Sequence, residues 1–269
     1  MQIHKLCIFV LFISLLSSKT ISAVKFNFNR FDGTNLIFIG YAELGPATDG
    51  MSRSGALSMT HPIPFKSSNN TSSSVYSFKT SFTFSITPRR SNPNPGHGIA
   101  FIVVPTVAYE YDQDSTRGFL GLVNLTTNGN PNNHLFAVEF DVFQDKRFGD
   151  INDNHVGVNI NSVNSKVSEK AGYWIQTRTR GKNQWLFKEV KLSSGDNYKA
   201  WIEYKNSKVI VWLAPAHLKK PKRPLIETQV DLSEVVLETM YTGFSGSMGR
   251  GVERHDIWSW SFENTAKNN

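Results

Sequence analysis

Residues 138–155 carry the side chains best suited to chemistry: Glu139, Asp141, Asp145, Asp150 and His155. On a strand, residues two apart share a face, so Glu139, Asp141 and Phe143 point the same way. Two carboxylates side by side repel each other unless a cation lies between them. Asp145, Asp150 and His155 bring three more ligands from the following loop and strand. Four carboxylates within twelve residues, joined by an imidazole, describe a metal site. Their charge would balance two divalent ions, one hard and bound through oxygen alone, the other a transition ion that also takes the His.

Sandwich-fold glycosidases also place carboxylates at alternate strand positions, but their acid/base chemistry needs a second Glu as partner. Here that position is Phe143, followed by Gln144. No Gly-x-Ser-x-Gly elbow or phosphate-cradling Gly-rich loop occurs, and Gly246, Gly249 and Gly251 read only as a flexible loop. The expectation is a binding protein and not an enzyme.

The elements that must position these residues alternate with period two. Phe78, Phe82, Phe84 and Ile86 fall on one face of a segment whose other face carries Lys79, Thr83 and Ser85. Further strands are expected over Gly98–Val104, Leu135–Phe143, His155–Ser162, Tyr198–Lys205, Lys208–Ala214 and Ile257–Phe262. Asn206-Ser207 is a two-residue turn signal, which makes Tyr198–Lys205 and Lys208–Ala214 a hairpin. Only Leu232–Leu237 reads as briefly helical. With no internal repeat or boundary, the fold class is all-β, one antiparallel β-sandwich spanning residues 24–265, with 266–269 a short tail.

The chain has 269 residues, of which 39% are hydrophobic, 12% aromatic and 19% charged. That balance excludes a disordered chain. The long apolar run, Cys7–Leu16, is half the roughly twenty residues a membrane span needs. His4 and Lys5 precede it and small residues lead out to Ala23, the pattern of a secretory signal peptide at 1–23 with cleavage after Ala23. Cleavage removes Cys7, the single cysteine, so the mature domain must be held by its core and not by disulfides. It also takes Lys5 and Lys19 from a formal charge of +7. The densest basic patch, Lys219, Lys220, Lys222 and Arg223, reads as a solvated loop stiffened by Pro221, so nucleic acid is not an expected partner. Sequons at Asn69, Asn70 and Asn124 lie in polar loops and can carry glycans in a secreted chain.

Glu139-x-Asp141-x-Phe143-x-Asp145, then Asp150 and His155-Val156-Gly157-Val158, resembles the metal-binding signature of the legume lectins. Gly243-Phe244-Ser245-Gly246 and His255-Asp256-Ile257-Trp258-Ser259-Trp260-Ser261-Phe262 resemble that family's C-terminal signature. Phe26-Asn27-Phe28, Gly98-Ile99-Ala100-Phe101 and Gly118-Phe119-Leu120-Gly121 fit in the same order. The resemblance implies a jelly-roll sandwich binding Ca2+ and Mn2+. Glu139, Asp141, Asp150 and His155 would hold manganese; Asp141, Asp145, Asp150 and the carbonyl of Phe143 would hold calcium. A sugar would lie on Phe143, meet the Gly118 N–H, and be selected by the 247–254 loop, including Ser247, Met248, Gly249 and Arg250.

Two positions depart from the family. His97 stands where a sugar-binding Asp is usual, and Asp145 where an Asn usually donates to the sugar. Each mismatch leaves buried partners unpaired at roughly 1–3 kcal/mol, so two imply a drop in affinity of about 30-fold to 10⁴-fold. The resemblance also implies a cis peptide between Gly96 and His97. It sets His97 against Asp145 across the pocket, where a carboxylate would raise the His pKa and make the pocket a pH switch favouring anionic ligands in acid. The expected function is a secreted plant lectin-like protein of the apoplast with an altered monosaccharide site and a role in defence. Its partners would be glycans or glycoproteins, acidic polysaccharide among them; dimers or tetramers are common in the family, which would make a homodimer the expected assembly. The competing reading is a lectin-fold module that has lost simple-sugar binding and takes an apolar small molecule or a protein.

Overall fold

The computed structural model describes residues 24–45, 54–67, 74–88, 96–107, 118–179, 181–248 and 251–265. The expected signal peptide, the tail, Asn69, Asn70, Gly249 and Arg250 lie outside them. Among the described residues the strands are β1 (Lys25–Phe28), β2 (Leu36–Gly40), β3 (Ser54–Met59), β4 (Ile63–Pro64), β5 (Ser77–Pro88) and β6 (Gly98–Val104). They continue as β7 (Phe136–Asp141), β8 (His155–Ile160), β9 (Val167–Lys170), β10 (Gly172–Thr179) and β11 (Lys182–Glu189). The last are β12 (Tyr198–Lys205), β13 (Lys208–Pro215), β14 (Ile226–Gln229), β15 (Thr239–Ser247) and β16 (Glu253–Thr265).

These form two antiparallel sheets and a separate hairpin. One sheet runs β1-β16-β5-β12-β13-β14; the other runs β2-β3-β15-β6-β7-β8-β9, with β4 also paired to β15. Alternation along β5 puts Phe78, Phe82, Phe84 and Ile86 inside, as its period predicts. They meet the opposite sheet ring to ring: Phe84 lies 4.7 Å from Phe140, and Phe82 4.8 Å from Phe244. Such pairs add about 0.5–1.5 kcal/mol each beyond the area they bury.

Strands β6 and β7 are buried along their whole length, on both faces. Their second face is covered by Phe119, Leu120, Leu122 and Val123, which follow Gly118 in the chain. This packing brings Gly118 to the end of β7 where the acidic residues lie.

The hairpin at Asn206-Ser207 is present, with both residues at positive φ (52° and 55°) and Lys205 opposite Lys208, the geometry of a type I′ turn. Leu232–Leu237 differs from expectation, since only a single turn forms there, closed by Val235 and Val236 N–H groups on the Leu232 carbonyl. Two Val side by side have little helix preference, and the buried Leu232, Val235 and Val236 are held by the core. The Gly96–His97 bond also differs, because among the described residues no peptide is cis. A cis bond outside proline costs about 3–4 kcal/mol and persists only where neighbours enforce it. In the trans form the Gly96 and Gly98 N–H groups both find the Glu253 carboxylate, at 2.7 and 3.1 Å.

Candidate functional site

Strands β7 and β8 pair so that Asp141 lies opposite His155 and Glu139 opposite Gly157. Glu139, Asp141 and His155 are thereby buried on one face at one end of the sheet. The intervening loop folds Asp150 back over them. Ligand atoms of Asp141, Asp150 and His155 lie within 4.8 Å of one another, and Glu139 Oε1 is 3.4 Å from His155 Nε2. Gly157 is required by this closeness: a Cβ there would sit 2.4 Å from Glu139 Oε1 and 1.9 Å from Ser165 Oγ.

The His155 ring is oriented by its own loop. Its Nδ1 lies 2.9 Å from the Asn152 carbonyl, which can only accept, so Nδ1 carries the proton. Nε2 then presents a lone pair to the carboxylates and is fully buried without a hydrogen-bond partner. An orphaned imidazole nitrogen facing three carboxylates is what a transition ion would complete. Asn159 and Ser165 donate to the two Glu139 oxygens at 2.5 and 2.6 Å and fix that side chain. Sequence reading missed both. The signal for Asn159 was its place two residues beyond Gly157 on the His155 face of β8.

Electrostatics agree. Burial, then the neighbouring Glu139 and Asp150 charges, pushes Asp141 well above the usual carboxylate range. Asp150 is pushed up to about 6, chiefly by burial. Burial pulls the His155 imidazole down, but the Glu139 and Asp150 carboxylates together raise it above its ordinary value. These residues fit a divalent cation, which would replace the protons that the crowded carboxylates otherwise retain.

The sugar-site candidates gather beside this cluster. A Cβ on Gly118 (φ 95°) would lie 3.2 Å from His97 Cε1 and 3.3 Å from Asp145 Oδ2, so the three converge. Phe143 is 41% exposed, with its ring 4.7 Å from that of His97. Asp145 has its backbone N–H on Asp150 Oδ2 at 2.6 Å, but its carboxylate turns away from the cluster to Arg147. Arg147 Nε donates to both Asp145 oxygens, Nη2 to Oδ2, and the hydrogen bonds of Arg147 hold Asp145 below the usual range.

Ser247 and Met248 are buried and support the His97 segment from beneath. The Ser247 carbonyl accepts from His97 N–H at 3.1 Å, and Met248 Sδ accepts from Glu253 N–H. Glu253, with a fully buried side chain, also lies 2.7 Å from His255 Nε2. Neither Glu253 nor Arg147 was singled out from sequence. The expected rise in His97 pKa is reversed: burial lowers it, outweighing Glu253 and Asp145, and Arg147 adds to the lowering. At the described sequon, Asn124 Oδ1 accepts from the Thr126 hydroxyl at 2.8 Å.

Residues 23–269 match the legume lectin domain. The chain belongs to the legume lectin family. A lectin-like protein of Arabidopsis thaliana is 95% identical, the match covering all of both chains. A probable L-type lectin-domain containing receptor kinase of the same plant is 40% identical over 94% of this chain and 37% of its own length. Among solved structures, peanut lectin with a nine-residue peptide superposes with a TM-score of 0.73 at 25% identity, covering 92% of this chain and all of that one. Arcelin-5, a lectin-like defence protein from Phaseolus vulgaris, gives 0.67 at 26% identity, covering 91% and 99%. The β-sandwich expected from the sequence is the legume lectin sandwich, and the chain is a lectin-like protein.

Proposed function

We propose that this legume lectin is a secreted, non-enzymatic glycan-binding protein whose altered pocket favours acidic sugars. The observation that carries this reading is the convergence of Gly118, His97 and Asp145, with the exposed Phe143 ring against His97, beside the buried ligand cluster. Phe143 offers an apolar face to a sugar ring and the Gly118 N–H a donor. Asp145, the acceptor nearest them, is engaged by Arg147. Arg147, with a side chain 68% exposed, leaves guanidinium N–H groups facing solvent, where a uronate carboxylate can accept from them.

A transition ion such as manganese would be held by Glu139, Asp141, Asp150 and His155, and would fix the loop that presents Phe143. Cleavage after Ala23, glycosylation at Asn124 and an apoplastic defence role complete the proposal, the last supported by likeness to a lectin-like defence protein. Glycan-array binding of the glycosylated protein, with calcium and manganese against a chelated control, tests it. Metal-dependent binding to uronic-acid oligomers is expected, and absence of binding to any glycan would overturn it. The engagement of Asp145 by Arg147 favours one second reading, a module that has given up simple sugars for a protein or apolar ligand. A silent array joined to capture of an apolar probe would select that reading.

A further inference from the structure

We infer that Arg147 is a built-in cation that takes the place of a second metal ion, so that this chain binds one divalent ion and not two. The inference rests on the metal reading above and concerns what that reading leaves open, the number of ions. Asp145 is the acidic residue between the cluster and the pocket. Its Oδ1 receives Arg147 Nε at 2.9 Å and Arg147 backbone N–H at 3.0 Å; its Oδ2 receives Nε at 3.1 Å and Nη2 in a close ion pair. Both oxygens are thus filled by one residue two positions along the same loop.

The guanidinium is anchored as well as paired. Its central carbon lies 5.1 Å above the Phe148 ring, and Phe148 packs 4.9 Å from Phe119 of the covering loop. Planar guanidinium stacking on an aromatic face leaves the in-plane N–H fork free to clamp a carboxylate. The clamp draws Asp145 out of the group whose ligand atoms converge, which consists of Asp141, Asp150 and His155 with Glu139 at its edge.

Two consequences follow for a second ion. A hard cation such as calcium needs six to eight oxygens, and withdrawal of both Asp145 oxygens leaves it only the Phe143 carbonyl and the Asp141 and Asp150 carboxylates that it must share with its neighbour. A dication at that point would also face the fixed positive charge of Arg147 at close range. The first ion meets neither obstacle, because it has three carboxylates and the His155 lone pair.

Equilibrium dialysis of the secreted protein against calcium and manganese together, followed by elemental analysis, counts the ions directly. One divalent ion per chain is expected in wild type, and two in Arg147→Ala, the added one being calcium. Arg147→Gln, which keeps the stem over Phe148 but loses the charge, is the second variant and should also bind two. Two ions in wild type would overturn the inference while leaving the metal reading intact, and a folded Arg147→Ala or Arg147→Gln that still binds one would overturn it too. No ion in wild type would instead defeat the metal reading and the inference with it. The wild-type count decides between one and two even if neither variant folds.

Discussion

Burial of the His97 ring opposes the carboxylates around it, and burial wins. The ring packs on Phe143 and lies under the Gly118 loop, so its charged form is desolvated more than Glu253 and Asp145 can offset. Its folded pKa is therefore below the ordinary 6.5. A lowered His contributes stability above its unfolded pKa and loses it as pH falls through the folded one, opposite to the switch the resemblance implied. NMR titration of His97 should give a midpoint below 6.5, moving up in Arg147→Ala and down in Glu253→Gln. A wild-type midpoint above 6.5 would mean that the carboxylates dominate after all.

Among elements, the β7–β8 pair holds the cluster, and its tolerance is set by Gly157. Opposite Glu139 there is no room for a Cβ, so Gly157→Ala must displace the Glu139 carboxylate or part the strands. Divalent-ion affinity should fall roughly 10- to 100-fold, the range seen when a ligand's support is disturbed, with stability lowered by about 1–3 kcal/mol. Isothermal titration and urea unfolding of the same variant would measure both, and unchanged affinity would show that Glu139 lies outside the coordination set. By comparison, Phe140→Ala should cost about 3–5 kcal/mol in unfolding, since Phe140 lies between Phe82 and Phe84 of the opposite sheet. The β10–β11 hairpin was not legible in the sequence. Trp185, Leu186 and Phe187 are contiguous, and β11 is exposed along most of its length, so no period-two pattern marks it.

For the whole molecule, stability should depend jointly on metal and pH. In chelated protein Asp150 is protonated up to about 6 and Asp141 well above the ordinary carboxylate range. A raised carboxylate stabilises the fold below its unfolded pKa of about 3.8, and that contribution is lost as pH rises through the folded value. Melts of chelated protein should therefore weaken between about pH 4 and 6, while saturating manganese at 100 times its Kd should restore about 2.7 kcal/mol. A chelator without effect at pH 7 would exclude a structural ion. The strand alternation of β5, the turn at Asn206-Ser207 and the run of carboxylates leading from Glu139 to His155 are legible in the sequence alone, because each is a local pattern written in neighbours a few residues apart. The tertiary structure alone decided that Glu253 would lie beneath Gly96, 157 positions away, that Arg147 would claim Asp145, and that His97 would be buried enough to reverse its pKa shift. Those outcomes depend on which strands the sheets place side by side and how much water the packed loops exclude, and neither quantity is a property of any single segment.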